Sequence, residues 1–254
     1  MKAKKISLII VASLFLLSIL GCLFGLFTTK KVQVNYAVSS KIITENVQPV
    51  FDEFVGKNLL FLNLDKVEDA ISDNLYLEIV SVKKDFPNVL TVNVKERREV
   101  YYLKNGDEYL VTTENGFILR KAYQTEVKNY SGRDKILFTL DGVNITNAKV
   151  GKVVETDSQS LIETVFEMAK NVELTDCIKS IEVFKPNVPG ANVTFKTYTG
   201  VNVEIAKAEE KGVEKVVFAF NAYDNAPSDY VKMFSTIKVN LLNGQPNVVW
   251  SSSK

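Results

Sequence analysis

Lys84-Asp85-Phe86-Pro87-Asn88-Val89-Leu90-Thr91-Val92-Asn93-Val94-Lys95-Glu96-Arg97 is the stretch from which the fold is read. Proline fixes its own φ and restricts the residue before it, so Phe86-Pro87-Asn88 predicts a turn. Beyond the turn Leu90, Val92 and Val94 face one way, while Thr91, Asn93 and Lys95 face the other. That period of two predicts a strand with one buried face. Leu77 to Lys84, before the turn, also reads as a strand, so the two make a hairpin.

Working back from the hairpin, Val67, Ala70, Ile71 and Leu75 give a helix its apolar face, and Asp65-Lys66-Val67-Glu68 has the spacing of a capping box. Leu59-Leu60-Phe61-Leu62 is a short apolar patch. Val47, Val50, Phe51 and Phe54, spaced i, i+3, i+4, i+7, predict an earlier helix. Thr44 would be its N-cap and Gly56 the glycine that stops it. Val32 to Val38 alternates and predicts a strand. The order is β-α-α-β-β, which lets two helices cover one face of a three-stranded sheet. The expected core includes Val50, Phe54, Phe61, Ile71, Leu90 and Val92.

Still further back, Ile6 to Phe27 carries no charge. At about 1.5 Å of rise per residue, a helix of that length covers roughly 33 Å, the hydrocarbon thickness of a bilayer. A single apolar run can satisfy its backbone in lipid only as a helix. Lys2, Lys4 and Lys5 precede it and Lys30 and Lys31 follow, a small bias toward a cytoplasmic N-terminus. The expectation is a tail at 1–5, a transmembrane helix at 6–27 and everything later outside the cytoplasm. Two other readings stand beside it. A basic start followed by an apolar core also suits a secretory signal. Ile19-Leu20-Gly21-Cys22 is close to a lipoprotein cleavage box. Leu20 is large for such a box, and the chain stays apolar through Leu23, Phe24, Leu26 and Phe27, which favours the uncleaved helix.

Downstream of the hairpin, Tyr101 to Leu103 and Tyr109 to Thr112 read as strands around Asn105-Gly106-Asp107. Phe117 to Leu119 and Lys135 to Leu140 are further short strands. Asp157 to Val172 predicts a helix with Leu161, Val165, Ala169 and Val172 aligned. Ile178 to Phe184, Ala191 to Tyr198 and Val201 to Ala206 predict an antiparallel meander, punctuated by Pro189-Gly190 and Thr199-Gly200. Val213, Val216, Val217, Phe220 and Tyr223 suggest a second helix. Met233 to Leu242 and Asn247 to Trp250 end the chain as strands.

Composition excludes several chemistries. The 254 residues contain no histidine, which removes Ser-His-Asp and Cys-His catalysis and histidine-ligated zinc. Net charge is +1, which leaves no electrostatic footprint for nucleic acid. Cys177 is the one cysteine beyond Cys22, so the outer part cannot close an internal disulfide and Cys177 is expected to fill core volume. Glu209 and Glu210 are adjacent and would point apart on a helix. No Ser-x-x-Lys suited to catalysis and no glycine-rich phosphate loop occurs. The chain is expected to be no enzyme, with no cofactor and no metal.

Two stretches carry a resemblance. Phe54-Val55-Gly56-Lys57-Asn58-Leu59-Leu60-Phe61-Leu62-Asn63-Leu64-Asp65 is similar to the link between the two helices of the POTRA domain in the FtsQ/DivIB cell-division family, and Lys84 to Arg97 is similar to that domain's hairpin. The region after it resembles the family's β-domain, more loosely and mainly by order. Ser39-Ser40 stand where the family commonly has Gly-Asn, and Glu99 and Tyr101 replace its usual Pro and Ala. The resemblance implies a membrane-anchored α+β chain: a POTRA domain at 28–100, then a mixed, mainly antiparallel β-domain with two helices at 101–254. It implies a non-enzymatic, single-pass protein of the bacterial plasma membrane at the division septum, a scaffold and regulator of septal peptidoglycan synthesis. Its partners would be bitopic proteins of the FtsL and FtsB/DivIC types, and the septal peptidoglycan synthase. The partner would dock on the last strands, Met233 to Leu242 and Asn247 to Trp250; there Thr236, Lys238 and Asn240 lie on the face opposite Ile237, Val239 and Leu241 and are expected contact residues, and Trp250, the one tryptophan, reads either as a further contact or as a cap on the β-domain core. For Glu96-Arg97-Arg98-Glu99 the readings are a solvated strand end and a recruitment surface. The alternatives for the whole chain are a POTRA-type export module, a surface lipoprotein and a cell-wall hydrolase.

Overall fold

The computed structural model describes residues 2–36, 48–71, 74–172, 177–186 and 189–252, with every side chain among them except those of residues 2–9, 20, 22, 23 and 232. The chain divides into two compact units, Met1–Arg97 and Arg98–Lys254.

In the first unit, α1 (Lys2–Leu26) leads into β1 (Lys31–Tyr36), a helical stretch at 48–52, α2 (Leu64–Asp69), β2 (Leu77–Asp85) and β3 (Val89–Glu96). The sheet order is β1-β3-β2, with β3 parallel to β1 and antiparallel to β2. In register, Val32 lies beside Leu90 and Val34 beside Val92, so both strands turn the same residues to the core. Leu90, Val92 and Val94 are buried there with Phe51, Phe54, Leu59, Val67 and Ile71. A register shift between Ile79 and Ser81 leaves Val80 unpaired and exposed. That extra residue lets Ile79 and Val82, three positions apart, both pack on the core. The other face is polar. Asn35 donates to Asn93 at 2.9 Å, and Asn93 donates to Ser81 at 2.7 Å.

Three expectations for this unit change. Phe61 is not core: it is 73% exposed and stacks on Phe24. The Asn58 side chain accepts from Leu60 N, and Phe61 N donates to Asn58 O. This tight turn sends Leu59 inward and Leu60 and Phe61 outward. The cap of α2 is Asn63, whose side chain accepts from Asp65 N at 3.0 Å, so Asp65 lies in the first turn. Val50 is half-buried at the edge of the core. Gly56 has φ +84° after the helical stretch, as a stop glycine requires. Thr44, Ser39 and Ser40 lie outside the described residues.

α1 is helical over 25 residues. Its described side chains form the interrupted set 10–19, 21 and 24–26, and among the described residues no helix is long and apolar enough to cross a membrane.

The second unit contains β4 (Tyr101–Asn105), β5 (Glu108–Thr112), β6 (Ile118–Tyr123), α3 (Gln124–Asn129), β7 (Ile136–Asp141), β8 (Ile145–Asn147), β9 (Glu155–Thr156) and α4 (Gln159–Lys170). It continues with β10 (Ile178–Phe184), β11 (Asn192–Thr197), β12 (Asn202–Ile205), α5 (Gly212–Asp224), α6 (Ser228–Met233), β13 (Thr236–Leu242) and β14 (Gln245–Ser251). Nine strands make one sheet in the order β14-β13-β12-β11-β10-β7-β4-β5-β6. Pairs β4–β7, β7–β10 and β12–β13 are parallel and the other pairs antiparallel. α4 and α5 bury Leu161, Ile162, Val165, Phe166, Val216 and Phe220 in a core shared with alternate residues of the sheet. Tyr102, Tyr109, Val111 and Ala122 form a separate cluster joined by Val127 of α3. The two short helices α3 and α6 are additions to the expected pair, and the strand expected from Met233 starts at Thr236. Cys177 packs half-buried against the larger core.

Truncating a buried Phe typically costs about 3–5 kcal/mol. Phe54→Ala is expected to lower the thermal midpoint of the purified protein sharply, and Phe61→Ala to leave it nearly unchanged. Equal losses in a calorimetric melt would contradict this core.

Candidate partner interface

The last hairpin is built on Asn243 and Gly244, with φ +52° and +77°. Two successive residues at positive φ make the turn that matches strand twist, and Asn-Gly is the pair that favours it. Lys211 Nζ donates to Gly244 O at 3.1 Å, tying the turn to the start of α5. Beneath it, Lys215 is buried and donates to the carbonyl oxygens of Ala206 and Lys207 at 2.7 and 2.9 Å. Burial pushes its ammonium below the usual lysine range.

Such a turn is closed by a hydrogen-bonded pair, here Leu242 and Gln245, and bonded pairs then alternate along the ladder. Asn240–Asn247, Lys238–Val249 and Thr236–Ser251 bond inward. Val248 and Trp250 therefore point their N–H and C=O groups to the outer side of β14. The ladder on the other side of β13 agrees: Ala206 N donates to Val239 O at 3.1 Å, away from β14. β14 ends the sheet, and among the described residues no further strand pairs with it. Pro246 lacks an N–H and sits in a pair that faces outward, a position proline tolerates only at an edge.

The opposite edge differs. β6 carries Arg120 and Lys121, the kind of charges that discourage strand addition. Part of its backbone is taken: Ile118 N donates to Lys152 O and Gly151 N to Ile118 O. Arg120 is held by Glu99 (Nε to Oε1, 2.6 Å) and Glu126 (Nη2 to Oε1, 2.7 Å), and Tyr102 donates to Glu126 at 3.1 Å. Arg120's hydrogen bonds hold the Glu126 carboxyl below its usual range. The acidic and basic groups here pair with one another within the same unit.

The four contact residues expected from sequence do not share a face. Lys238 and Asn240 are exposed together, Lys238 lying 3.6 Å from Glu204 and Asn240 accepting from Asn247 at 3.4 Å. Thr236 is buried. Trp250 pairs with Ile237 on the core side, half-buried, with Tyr230 and Phe234 each 6.1 Å from its ring. Tyr230 of α6, Phe234 and the exposed Val249 were missed by sequence reasoning. Pro246 was the available signal, because it marks an edge strand. No cluster of metal ligands occurs among the described residues.

Residues 27–97 match the family model of the POTRA domain, FtsQ-type. The chain is 33% identical over 182 residues to the cell division protein DivIB of Clostridium acetobutylicum, covering 65% of this chain and 70% of that one. It is 28% identical over 165 residues to the cell division protein DivIB of Clostridium botulinum (strain Hall), covering 64% and 61%. It is 24% identical over 203 residues to that of Clostridium tetani, covering 78% and 72%.

A β-branched side chain at the positive φ of Gly244 costs about 1–2 kcal/mol. Gly244→Val should therefore lower the thermal midpoint and move Trp250 emission to longer wavelength as the hairpin frays. Lys238→Gln, in exposed surface, should change neither.

Proposed function

The chain belongs to the DivIB/FtsQ family of cell-division proteins, and from that premise we propose that it is a non-enzymatic membrane-anchored scaffold of the septal division complex. α1 is the anchor: it is helical across the uncharged run that begins at Ile6. Its N-terminus lies in the cytoplasm, and the rest of the first unit and all of the second lie outside, following the lysines before the run. The chain acts on septal peptidoglycan synthesis by holding other proteins, through contacts of its outer units.

The observation that carries the partner assignment is the unpaired outer side of β14. A sheet edge can accept an extended segment from another protein; main-chain bonds then supply affinity and alternate side chains selectivity. The guest is the outer segment of an FtsB/DivIC-type protein, with an FtsL-type protein and the septal synthase in the same assembly. Its backbone pairs with Val248 and Trp250. Lys238, Asn240 and Val249 flank it on one face, and Trp250 with Tyr230 on the other. Thr236 contributes through its strand position, since its side chain is buried. Trp250 is an aromatic of the type enriched at binding hot spots.

Val248→Pro removes one outward N–H and no bond to β13. It is expected to leave the thermal midpoint within a few degrees of wild type while weakening binding of the partner's outer segment at least about tenfold, one lost charge-neutral hydrogen bond plus steric exclusion. Titration followed by Trp250 emission reads this directly, because Trp250 is the one tryptophan in the chain. Unchanged affinity in a folded variant would place the partner elsewhere.

A further inference from the structure

We propose that the first unit rests on the lipid surface through Phe24, Phe27, Leu60, Phe61 and Phe86, and is not merely tethered to it. The inference rests on the reading of α1 as a membrane anchor. Three observations lead to it.

The junction between α1 and the domain is a hydrogen-bonded strap. Leu59 N donates to Phe27 O at 2.8 Å, Thr29 N to Lys57 O at 2.8 Å, Gly56 N to Thr29 O at 2.9 Å and Lys30 N to Asn88 O at 2.8 Å. The carbonyl of Phe24, at the end of the helix, accepts from Thr28 Oγ1 at 2.6 Å and Asn58 Nδ2 at 3.2 Å. The loops at 56–59 and 86–88 are thus held beside the helix exit, with no free linker between them.

Each loop then sends an aromatic ring back to the helix. Phe61 stacks on Phe24 with centroids 5.6 Å apart, and Phe86 meets Phe27 edge-on at 5.6 Å. These rings are not buried by their contacts: Phe61 is 73%, Phe86 55% and Phe24 54% exposed, and Leu60 is exposed beside them. At Phe24 and Phe27 the apolar surface at the end of the uncharged run thus meets apolar surface of the domain. Water is a poor neighbour for so much contiguous apolar area, and such patches mark interaction surfaces.

The third observation is depth. Phe24 lies one helical turn before Phe27, roughly 4.5 Å along the axis at about 1.5 Å per residue. With the helix leaving the hydrocarbon near Phe27, Phe61 sits about one turn below the exit. That depth lies near the shallow end of the roughly 5–10 Å to which interfacial apolar faces enter the headgroup boundary. Aromatic rings are enriched at that level. Lys30 and Lys57, both exposed beside the strap, are placed to meet lipid phosphates. The occupant that fits is thus the membrane that holds α1. A protein partner would have to cover the same rings at the depth of the acyl chains.

The test uses the full chain in phosphatidylcholine vesicles, with acyl chains brominated near the headgroup as quencher. Phe24→Trp and Phe61→Trp are each made in a Trp250→Phe background. The proposal expects both proteins to lose emission to the brominated lipid, and Phe61→Trp to emit at shorter wavelength in vesicles than in detergent-free buffer after proteolytic release of α1. Quenching of the Phe24→Trp protein without quenching of the Phe61→Trp protein overturns the proposal and leaves the anchor standing. Quenching of neither overturns the anchor, and the lipid contact with it. A thermal melt of the Phe61→Trp protein guards against misfolding, since this exposed site should accept the ring without loss.

Discussion

A row of backbone hydrogen-bonding groups along the outer side of β14, which no strand among the described residues receives, is the constraint around which the second unit is read. Eight pairings consume the backbone of the nine-stranded sheet and stop there. The core below is closed without a guest: Ile237 and Val239 are buried under α5, and Val248 and Trp250 pack half-buried beside them. The edge is thus stable while open. At the other end of the sheet, β6 is charged and partly bonded to the loop at 151–152. One edge is thus blunted by charge and by the loop, while the other stays open beyond Pro246.

Much of the first unit was legible because its signals are local. A proline turn, a period of two and a stop glycine act within a few residues, and the order β-α-α-β-β follows from them. Phe61 was misread because hydrophobicity predicts burial without saying by what. Its turn is decided by the Asn58 side chain and by the strap to Phe27 and Thr29, contacts between segments far apart in sequence. Val80 shows the same limit, since a bulge is invisible to a strict alternation. In the second unit the helix near 159–170 and the meander from Ile178 were readable from period. The edge position of β14 was not, because strand order is a property of the whole sheet. Trp250 read from sequence either as a contact or as a cap on the core, and only the register at Ile237, which puts it on the core side, shows its packing there.

The two units differ in their surfaces. The first has a buried core, a polar sheet face and an apolar rim continuous with α1. Among the described residues the second has no such rim, and the docking site proposed for it lies along a strand. The proposed scaffold function needs no reacting group. It needs a surface held in place and an edge that is available, and both follow from backbone geometry more than from any single side chain.

Amide hydrogen exchange at Val248 and Trp250 tests the central claim most directly. In the free protein these two N–H groups face solvent and should exchange rapidly, while those of Lys238 and Val249, bonded across the hairpin, should be protected. Adding the outer segment of the FtsB/DivIC-type partner should slow exchange at Val248 and Trp250 to the level of interior strands. Saturating partner that leaves both amides exchanging rapidly, with new protection elsewhere in the chain, would contradict the account.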